Sequence, residues 1–478
     1  MSTGYDPLYL YIDGEFLSAG QRDTSPVINP ATGAVIGRVP HATPQDLERA
    51  VQSTERAFKV WRNTAPYERA RILKGAAELI RERSPHIERL LTLEQGKALS
   101  ESHYEVASAA DYFEWFAEEG KRSYGRVVPS RRAEVQQLVK RQPIGPVAAF
   151  TPWNFPAITP SRKLSAALAA GCSVIIKPAE ECPATTLAIV RCLHDAGLPA
   201  GLLQVVFGVP DAISACLIGS PAIRKVTFTG SVPVGRLLAA RAAEGVKPIS
   251  LELGGHGPVL VFADADIDQA TRLGAANRFR GTGQICISST RFLVQHSVYQ
   301  QFTEKFVAAT EALKVGDGMM PDTQVGPLSN ARRLEKIEAL VADAVQHGAT
   351  VLTGGKRIDG PGYFYAPTVL ADVPMDARVM HEEPFGPIAI LMPFHNLDDA
   401  LAEANRLPYG LSAYVFTKDA RTAIDAGERL EAGMIGINHF SMVVSELPFG
   451  GMKESGYGSE GGTEGIEHYL TTKFISQV

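Results

Sequence analysis

The sequence predicts an α/β protein built around a doubly wound parallel sheet, with a second α/β block and an extended β arm. From Ile144 onwards, short apolar runs bounded by turn residues alternate with helical stretches. The predicted strands are 147–150, 174–176, 203–207, 226–228 and 248–251, and the predicted helices are 157–170, 184–196, 211–218 and 233–244. Strands that alternate with helices pair in parallel, because each helix returns the chain to the edge where it began.

Short strands and then helices precede this sheet. Turn residues at Asp13-Gly14 and from Asn29 to Gly33 interrupt apolar runs, which predicts short strands within 9–16 and 24–39. Thr43 is placed to cap a helix that has Pro44 in its first position. Helical spacing predicts further helices at 67–83, 84–95 and 97–120. The polar, alternating segment 126–140 predicts the β arm.

The second α/β block begins after Gly257. Its predicted elements are a helix at 268–278, a strand at 290–295, a helix at 331–348, a β region at 363–370, helices at 397–406 and 420–431, and a strand at 435–438. A last strand is predicted at 466–475. No repeat or low-complexity tract interrupts the pattern.

The composition predicts a globular enzyme of two or three domains. The chain has 478 residues, of which 45% are hydrophobic and 21% charged. A formal net charge of -5 provides no general attraction for nucleic acid or for an anionic membrane. The five cysteines form no C-x-x-C pair, which argues against a disulfide framework and a cysteine-based zinc site. We therefore expect no metal and a reducing compartment.

The hydropathy pattern predicts a cytoplasmic protein. No basic start followed by an apolar block appears at the N-terminus, so we expect no signal peptide. The longest apolar stretch, from Ala166 to Ile176, is interrupted by Gly171 and Ser173. It is also shorter than the roughly 20 residues that cross a bilayer.

Polar and glycine-rich loops follow the strands of the parallel sheet, where such sheets bind ligands. These loops are 151–156, 177–180, 229–231 and 252–255. The segment from Gly230 to Gly235 opens a helix directly after a strand, which suits a bound phosphate. Lys177 and Glu180 fit the hydroxyls of an adenosine ribose, and the carboxylate would repel a 2′-phosphate. A surface ion pair is the alternative interpretation of these two residues.

Cys286 lies in a glycine-rich loop, 279–288, between a predicted helix and a predicted strand. A thiolate is the most nucleophilic side chain at neutral pH, so a cysteine on such a loop is a candidate nucleophile. The alternative is that it packs as a small hydrophobic residue, as most free cysteines do. The other motifs of the chain decide between the two.

Seven short motifs occur in one order along nearly the whole chain. They are FTPWNFP (150–156), KPAE (177–180), FTGS (228–231), LELGG (251–255), GQIC (283–286), EEPFGP (382–387) and PFGG (448–451). In this order and spacing the set resembles the NAD(P)-dependent aldehyde dehydrogenase superfamily. Within it, the chain is nearest to the succinate-semialdehyde and α-ketoglutarate-semialdehyde dehydrogenases. Any one of these motifs would be weak evidence for the resemblance, but seven motifs in the same order and spacing are specific evidence.

The resemblance implies the aldehyde dehydrogenase fold and its division into domains. An NAD-binding domain would comprise 1–125 and 144–252, and a catalytic domain 253–437. Segments 126–143 and 456–478 would form an oligomerisation arm. An extended β arm is a sheet edge that accepts a partner strand, so a homodimer or homotetramer is expected.

The resemblance also implies a reaction, the oxidation of a small-molecule aldehyde to a carboxylic acid. Cys286 would attack the aldehyde carbon to give a thiohemiacetal, and loss of hydride would leave a thioester. Asn154 and the backbone N–H of Cys286 would hold the oxyanion, at about 3 kcal/mol per donor. Glu252 would act as the general base that activates water for thioester hydrolysis. Glu460 resembles a second carboxylate that lies near the water path in some members.

The implied cofactor is NAD, with NADP also possible. Glu383 and Phe385 would position the nicotinamide ribose, Gly230 and Ser231 the pyrophosphate, and Trp153 would contribute a backbone contact. The full set of implied cofactor-binding residues is Trp153, Lys177, Glu180, Gly230, Ser231, Leu253, Glu383 and Phe385.

The implied substrate is a semialdehyde of the succinate or α-ketoglutarate type. Arg162 and Arg280 match the arginines that bind the distal carboxylate in succinate-semialdehyde enzymes, and a guanidinium meets a carboxylate in bidentate fashion. Val443 and Val444 stand near the position of a serine that helps in those enzymes, which admits a more apolar aldehyde. A broad-range aliphatic or aromatic aldehyde dehydrogenase is therefore the alternative, and a structural ion pair is the alternative role for each arginine.

Two rivals come from other functional classes. A cysteine hydrolase would need a histidine base beside Cys286, and the motifs offer only His256, which we interpret as structural. A non-catalytic relative would be expected to lack Cys286, Glu252 or Asn154, and all three are present.

Overall fold

The computed structural model of the protein describes residues 4–478. The strands and helices before the parallel sheet are β1 (Leu10–Ile12), β2 (Glu15–Leu17), β3 (Thr24–Ile28), β4 (Val35–Pro40), α1 (Pro44–Trp61), α2 (Pro66–Glu82), α3 (Ser84–Gln95), α4 (Leu99–Arg122), β5 (Arg126–Val128) and β6 (Gln136–Pro143). Local chemistry explains the start of α1. The Thr43 hydroxyl accepts the Asp46 N–H at 3.2 Å, and the Asp46 carboxylate accepts the Thr43 N–H at 2.9 Å. This reciprocal cap, with Pro44 in the first turn, is the predicted one.

The first large sheet has the predicted parallel centre. Its elements in chain order are β7 (Val147–Phe150), α5 (Ile158–Ala170), β8 (Val174–Lys177), α6 (Pro183–Asp195), β9 (Leu203–Val205), α7 (Pro210–Gly219), β10 (Lys225–Thr229), α8 (Val232–Glu244) and β11 (Ile249–Glu252). The five strands lie in the order β9-β8-β7-β10-β11, and all their pairings are parallel. The chain therefore winds outward in both directions from β7, which places a crevice at the carboxyl ends of β7 and β10.

A second large sheet follows. Its region contains β12 (Gly257–Val261), α9 (Ile267–Phe279), β13 (Ser289–Gln295), α10 (His296–Glu311), α11 (Ala331–Gln346), β14 (Thr350–Thr353), β15 (Thr368–Ala371), β16 (Ile388–Phe394), α12 (Leu397–Asn405), β17 (Tyr409–Gly410), β18 (Ser412–Phe416), α13 (Ala420–Arg429) and β19 (Met434–Ile437). Seven strands pair in the order β14-β15-β16-β13-β12-β18-β19. A short 3-10 helix, Arg280–Gly283, links α9 to the loop that carries Cys286.

The last segment joins the first sheet to the arm. It contains β20 (Met452–Lys453), β21 (Gly456–Tyr457), α14 (Glu464–Glu467) and β22 (Leu470–Gln477). β21 pairs antiparallel with β11, so the first residues of the predicted arm segment 456–478 lie in the first sheet. β22 pairs antiparallel with β6 from Leu470↔Pro143 to Gln477↔Gln136, and β5 completes a three-stranded sheet.

Most predicted elements are present within one to three residues of their predicted ends. The region 466–475 is a partial exception, because Ile466 lies in α14 and the strand begins only at Leu470. The sequence patterns did not predict β12, α10, β16 or β18. β12 begins with Gly257-Pro258, a pair that signals a turn, although every residue of the strand is buried. Burial between helices overrides that local signal.

Apolar side chains cover the faces of both large sheets and pack against the surrounding helices. One core cluster covers the first sheet and its helices, and others lie between the second sheet and its helices. A smaller cluster around Ile285, Ile287, Leu411 and Phe449 lies beneath the Cys286 loop. Within residues 4–478, no helix combines the length and the apolar character that spanning a bilayer requires.

Candidate active site

A cavity of about 990 Å³ opens at the carboxyl ends of the parallel strands, and residues from both large sheets line it. The predicted site residues that line it are Trp153, Asn154, Arg162, Gly230, Ser231, Glu252, Leu253, Arg280, Cys286, Glu383 and Phe385. Lys177 and Glu180 are not among the lining residues. The fold thus brings together residues that lie more than two hundred positions apart in the sequence.

Left-handed backbone conformations shape the loop before Cys286. Gly281, Thr282 and Gly283 have φ values of 54°, 56° and 68°. Such values are unusual for a threonine, and here its hydroxyl donates to the Gly326 carbonyl at 2.8 Å. The Ser329 N–H donates to the Gln284 side chain at 2.9 Å. Contacts from the 326–329 segment therefore hold the loop that presents the cysteine.

The Cys286 thiol is only partly exposed, and its surroundings oppose ionisation. Burial raises the pKa of the thiol to about 12, and the carboxylates of Glu383 and Glu252 act in the same direction. The Arg162 guanidinium opposes this effect. With the thiol neutral at physiological pH, a base must remove its proton before or during attack.

Asn154 is buried in the loop between β7 and α5, next to the backbone of the cysteine loop. Its side-chain N–H donates to the Gln284 carbonyl at 3.0 Å. A primary amide carries two N–H donors, so a second one is left for another acceptor. The Asn154 backbone carbonyl accepts a hydrogen bond from Lys97 at 2.8 Å.

Glu252 is the last residue of β11, with only 3% of its surface exposed. Neither of its carboxylate oxygens has a hydrogen-bond partner among the described residues. Burial raises the pKa of Glu252 well above its usual value, and the nearby Glu460 adds to this effect, while Lys163 and Arg162 oppose it. A carboxyl group with a raised pKa and free oxygens is suited to exchange protons inside the cavity.

Glu460 lies behind Glu252 in a buried ionic group. Lys163 forms an ion pair with Glu460 and also donates to the Thr227 hydroxyl at 3.0 Å. The sequence pointed to Glu460 but missed Lys163, which lies 297 positions away from it. A lysine in a helix is usually exposed, so the sequence did not mark Lys163 as a site residue. Its importance becomes visible only because the structure shows that every residue of α5 is buried.

Glu383 and Phe385 lie on the other side of the cysteine. The Gly255 N–H donates to Glu383 at 3.2 Å, and burial raises the pKa of Glu383 to about 7. A Cβ on Gly254 would lie 2.1 Å from the Glu383 carboxylate, so a side chain there would displace this carboxylate. Arg333 donates to the Phe385 carbonyl at 2.7 Å and supports a backbone that has a φ of 43°. The sequence did not identify Arg333 as a residue of the site.

Lys177 and Glu180 follow β8 and contact each other. The Lys177 ammonium donates to the Glu180 carboxylate at 2.7 Å and to the Pro178 carbonyl at 3.1 Å. The Gly208 N–H donates to the other Glu180 oxygen at 3.2 Å. An ion pair is thus present, but it is not the surface pair given as the alternative, because the Lys177 side chain is only 7% exposed. Both side chains lie close to the carboxyl end of β8.

The residues assigned to NAD(P) fit a dinucleotide at this edge of the sheet. Ser231 is the N-cap residue of α8, and its side chain makes no capping hydrogen bond. The N-terminus of this 13-residue helix therefore keeps N–H donors for a phosphate. A Cβ on Gly230 would lie 2.3 Å from the Phe228 ring, and one on Gly235 would lie 2.6 Å from Leu253. These glycines let the start of α8 pack closely against Phe228 and Leu253.

Arg162 is buried in the wall of the cavity. Its guanidinium carbon lies 4.1 Å from the centre of the Phe449 ring and 4.9 Å from that of Tyr112. The nearest carboxylate oxygen is that of Glu460, at 3.9 Å. Arg280 lines the cavity as well, and the Nε of both arginines is buried without a hydrogen-bond partner among the described residues. Val443 lines the same wall.

His256 is not available as a base. Its Nδ1 lies 2.6 Å from the Thr290 hydroxyl, and its Nε2 lies 2.9 Å from the Val379 carbonyl. Burial lowers the pKa of this imidazole well below its usual value. Both ring nitrogens are engaged, one by Thr290 of β13 and one by the Val379 backbone, which supports the structural interpretation.

Comparison with known proteins assigns the chain to a family. The profile described as "Aldehyde dehydrogenase family" matches residues 16–475. The chain is 49% identical to a 4-(hydroxymethyl)benzenesulfonate dehydrogenase of Comamonas testosteroni, over 98% of each chain. It is 43% identical to the succinate-semialdehyde dehydrogenase [NADP(+)] of Escherichia coli, over 97% of this chain and 96% of that one.

A solved structure agrees with these relatives. The succinate-semialdehyde dehydrogenase from Burkholderia pseudomallei superposes with a TM-score of 0.96 and 42% identity, over 100% of this chain and 99% of that chain. Both the sequence and the fold therefore match along nearly the full length. The chain belongs to the aldehyde dehydrogenase family and is an oxidoreductase that uses NAD or NADP.

Proposed function

We propose that the protein oxidises an aldehyde with an anionic group at its far end, of the semialdehyde type, to the carboxylic acid. The observation that carries this proposal is Arg162. It is 5% exposed, it lies between two aromatic rings in the cavity wall, and its Nε has no partner among the described residues. A buried guanidinium with an unused donor is a strong site for an anion.

Competition from Glu460 does not remove this site. Glu460 lies 3.9 Å from Arg162, which is beyond hydrogen-bond distance, while Lys163 makes the close ion pair with the same carboxylate. Arg162 therefore keeps donor capacity for a carboxylate or a sulfonate, since both present oxygens that a guanidinium can bind in pairs. The name of the Comamonas relative contains a sulfonate and that of the Escherichia relative contains a carboxylate.

The first step is attack by Cys286. The thiol proton leaves to solvent through the cavity, and the sulfur forms a bond to the aldehyde carbon. The carbonyl oxygen then carries the negative charge, and the second N–H of Asn154 together with the Cys286 N–H stabilise it, for about 3 kcal/mol per donor. The Asn154 bond to Gln284 fixes the plane of the amide during this step.

The second step leaves a thioester on Cys286. NAD(P), when bound, supplies the hydride acceptor. Glu383 would orient the nicotinamide ribose, and Phe385 packs edge-on against Trp153, with ring centres 5.6 Å apart, at the same end of the cavity. Glu252 then takes a proton from water, whose oxygen attacks the thioester carbon. The carbon–sulfur bond breaks, the acid leaves, and Glu252 returns its proton to the Cys286 sulfur. The Lys163–Glu460 pair keeps a compensated charge beside Glu252 while it changes protonation.

Paired substrates test the proposal. We would compare kcat/KM for succinate semialdehyde with that for butanal, and kcat/KM for 4-formylbenzenesulfonate with that for benzaldehyde, in the wild type and in Arg162→Gln. We expect the wild type to favour an anionic member by about tenfold or more, equivalent to about 1.4 kcal/mol, and the variant to lose that preference. Oxidation of the neutral aldehydes by the variant is the internal control.

The opposite result would identify the alternative, a broad-range aliphatic or aromatic aldehyde dehydrogenase. Val443, which lines the cavity in place of a polar residue, is the observation that favours this alternative. It would be supported if butanal and benzaldehyde were oxidised at least as well as their anionic partners and Arg162→Gln changed all four substrates equally.

A further inference from the structure

Four consecutive carbonyls of the Asn154 loop are each held by a side chain or by the next helix. Cys182 contacts the Trp153 carbonyl at 3.4 Å, and Lys97 donates to the Asn154 carbonyl at 2.8 Å. Thr159 donates to the Phe155 carbonyl, and Thr186 donates to the Pro156 carbonyl at 2.9 Å. Of these four contacts, the one between the Lys97 ammonium and the Asn154 carbonyl involves a charged group.

Lys97 is an unusual donor because it is almost fully buried. Its side chain is 3% exposed, and that of its partner, Glu105, is 1% exposed. The ammonium also lies 4.1 Å from the centre of the Phe155 ring. Removing an ammonium and a carboxylate from water is costly, so such a pair persists only where further contacts compensate the charges.

Glu105 uses its second oxygen on the same loop. It accepts the N–H groups of Ala157 at 2.8 Å and Ile158 at 3.2 Å, where α5 begins. A carboxylate at this place satisfies unpaired donors of the helix N-terminus and is favoured by the helix dipole. Lys97 and Glu105 together therefore fix the Asn154 loop from both sides of Phe155.

Glu101 lies one helical turn before Glu105 and reaches the other half of the site. Its two carboxylate oxygens accept the Gly281 N–H at 2.8 and 3.0 Å, at the start of the cysteine loop. Residues four apart lie on the same face of a helix. A single face of α4 thus contacts both the loop of Asn154 and the loop of Cys286.

The segment is also anchored to the second α/β region. The Leu99 N–H donates to the Gly318 carbonyl at 3.0 Å. A Cβ on Gly326 would lie 2.0 Å from the Gly96 carbonyl, so the two backbones pack without room for a side chain. The position of Lys97 is therefore tied to the region that carries the nucleophile as well as to the first sheet.

We propose that Lys97, Glu101 and Glu105 are positioning residues that set the distance between the Asn154 amide and the Cys286 backbone N–H. Lys97 and Glu105 hold the amide, and Glu101 holds the start of the cysteine loop. This inference rests on the proposed oxyanion role of Asn154, and it adds three residues that act through the two loops, of which Glu101 also lines the cavity.

The test compares reactions that need the oxyanion donors with one that does not. Aldehyde oxidation and hydrolysis of 4-nitrophenyl acetate both create an oxyanion at the attacked carbon. Alkylation of Cys286 by iodoacetamide displaces iodide and creates none. A change confined to oxyanion stabilisation slows the first two reactions and leaves alkylation unchanged, whereas general damage to the site changes all three.

Lys97→Met is the main variant, because methionine keeps the length of the side chain and removes the charge and the donor. We expect kcat for aldehyde oxidation and for ester hydrolysis to fall together by about tenfold or more, with alkylation changed by less than about twofold. Glu105→Gln keeps an acceptor for the helix N–H groups and leaves Lys97 in place. We therefore expect a smaller fall in kcat for both reactions than in Lys97→Met.

Arg69→Met is the matched control. Arg69 is a buried cation of α2 that donates to the Thr64 carbonyl at 2.7 Å, and it does not line the cavity. Its loss tests the effect of removing a buried cation as such. All rates are measured well below the melting temperature of each variant, and we expect this control to keep all three reactions within about twofold.

Glu101→Ala tests the second arm, and we expect it to slow aldehyde oxidation and ester hydrolysis by more than it changes alkylation, because it displaces the Cys286 backbone N–H. The inference is wrong if Lys97→Met keeps oxidation and ester hydrolysis within about twofold, or if it reduces all three reactions equally. It is also wrong in its second arm if Glu101→Ala leaves oxidation and ester hydrolysis unchanged or slows all three reactions equally. Asn154→Ala separates the two hypotheses, because full ester hydrolysis in that variant would overturn the oxyanion role itself.

Discussion

Glu252 illustrates how a residue acquires its chemistry from its surroundings. The side chain of an ordinary glutamate is ionised and hydrated at neutral pH. At the end of β11 it is buried, its oxygens lack hydrogen-bond partners among the described residues, and Glu460 is nearby. These surroundings raise its pKa, so it can hold a proton in one step and release it in another.

Replacing Glu252 with glutamine should separate the two halves of the reaction. The neutral amide cannot accept a proton, so the thioester should form and then persist. We expect a burst of about one NADH per active site, followed by turnover slower by about a hundredfold. Stopped-flow absorbance at the NADH band measures both phases.

The pH dependence of the slow phase provides a second check at Glu252. Because the raised pKa keeps Glu252 protonated to a higher pH than an ordinary glutamate, wild-type deacylation should still increase with pH above the range in which an ordinary glutamate ionises, and the variant should lose this increase. Cys286→Ala, which has no thiol, is the control and should show no burst. Normal turnover by Glu252→Gln would contradict the role of Glu252 as the general base.

At the scale of the elements, the loop from β8 to α6 carries the groups that we expect to meet the adenosine ribose. Lys177 and Glu180 contact each other there, and the Gly208 N–H fixes the carboxylate from β9's side of the sheet. A fixed carboxylate accepts hydrogen bonds from ribose hydroxyls and repels a 2′-phosphate. We therefore expect this arrangement to favour NAD over NADP.

Removing that carboxylate should change the choice of cofactor. For Glu180→Ser we expect kcat/KM for NADP to rise by about tenfold or more, because the like-charge repulsion disappears. Its kcat/KM for NAD should stay the same or fall modestly. Initial rates with both cofactors at one saturating aldehyde concentration provide the measurement.

Glu181→Gln is the matched control for this change. Its carboxylate is adjacent in the sequence but forms an ion pair with Arg332, at 3.1 Å. The ratio of NAD to NADP rates should therefore stay as in the wild type. If Glu180→Ser leaves this ratio unchanged, the Lys177–Glu180 pair has only a structural role.

At the scale of the whole molecule, the arm is the feature that a single chain leaves exposed. β22 and β5 cover the two sides of β6, and Phe474 and Val127 on this sheet are 60% and 75% exposed. Exposed apolar side chains on a small projecting sheet are typical of a surface that another subunit covers. We therefore expect a homodimer or homotetramer that uses this arm.

Deleting residues 470–478 should reduce the size of the assembly. The deletion removes β22 and exposes the edge of β6, which loses its eight paired residues. We expect a smaller species by light scattering coupled to size-exclusion chromatography. Deletion of Val478 alone, beyond the end of β22, is the control and should leave the assembly unchanged. An unchanged mass after the longer deletion would place the interface elsewhere.

The sequence by itself determined the local elements and the identity of the reacting groups. Turn residues and apolar periodicity act over a few positions, so they predicted the alternating strands and helices, the Thr43 cap and the polar strand ends. The motifs identified Cys286, Asn154 and Glu252 as candidates. They also gave the aldehyde dehydrogenase family, which the comparisons confirm.

Only the tertiary structure decided which groups meet and how their charges are compensated. Lys163 and Glu460 lie 297 positions apart, and the contact between Lys97 and Asn154 joins residues 57 positions apart. No local pattern encodes such pairs, because they depend on how the sheets and helices pack. Burial, which sets the pKa of Cys286 and of Glu252, is likewise a property of the packed molecule.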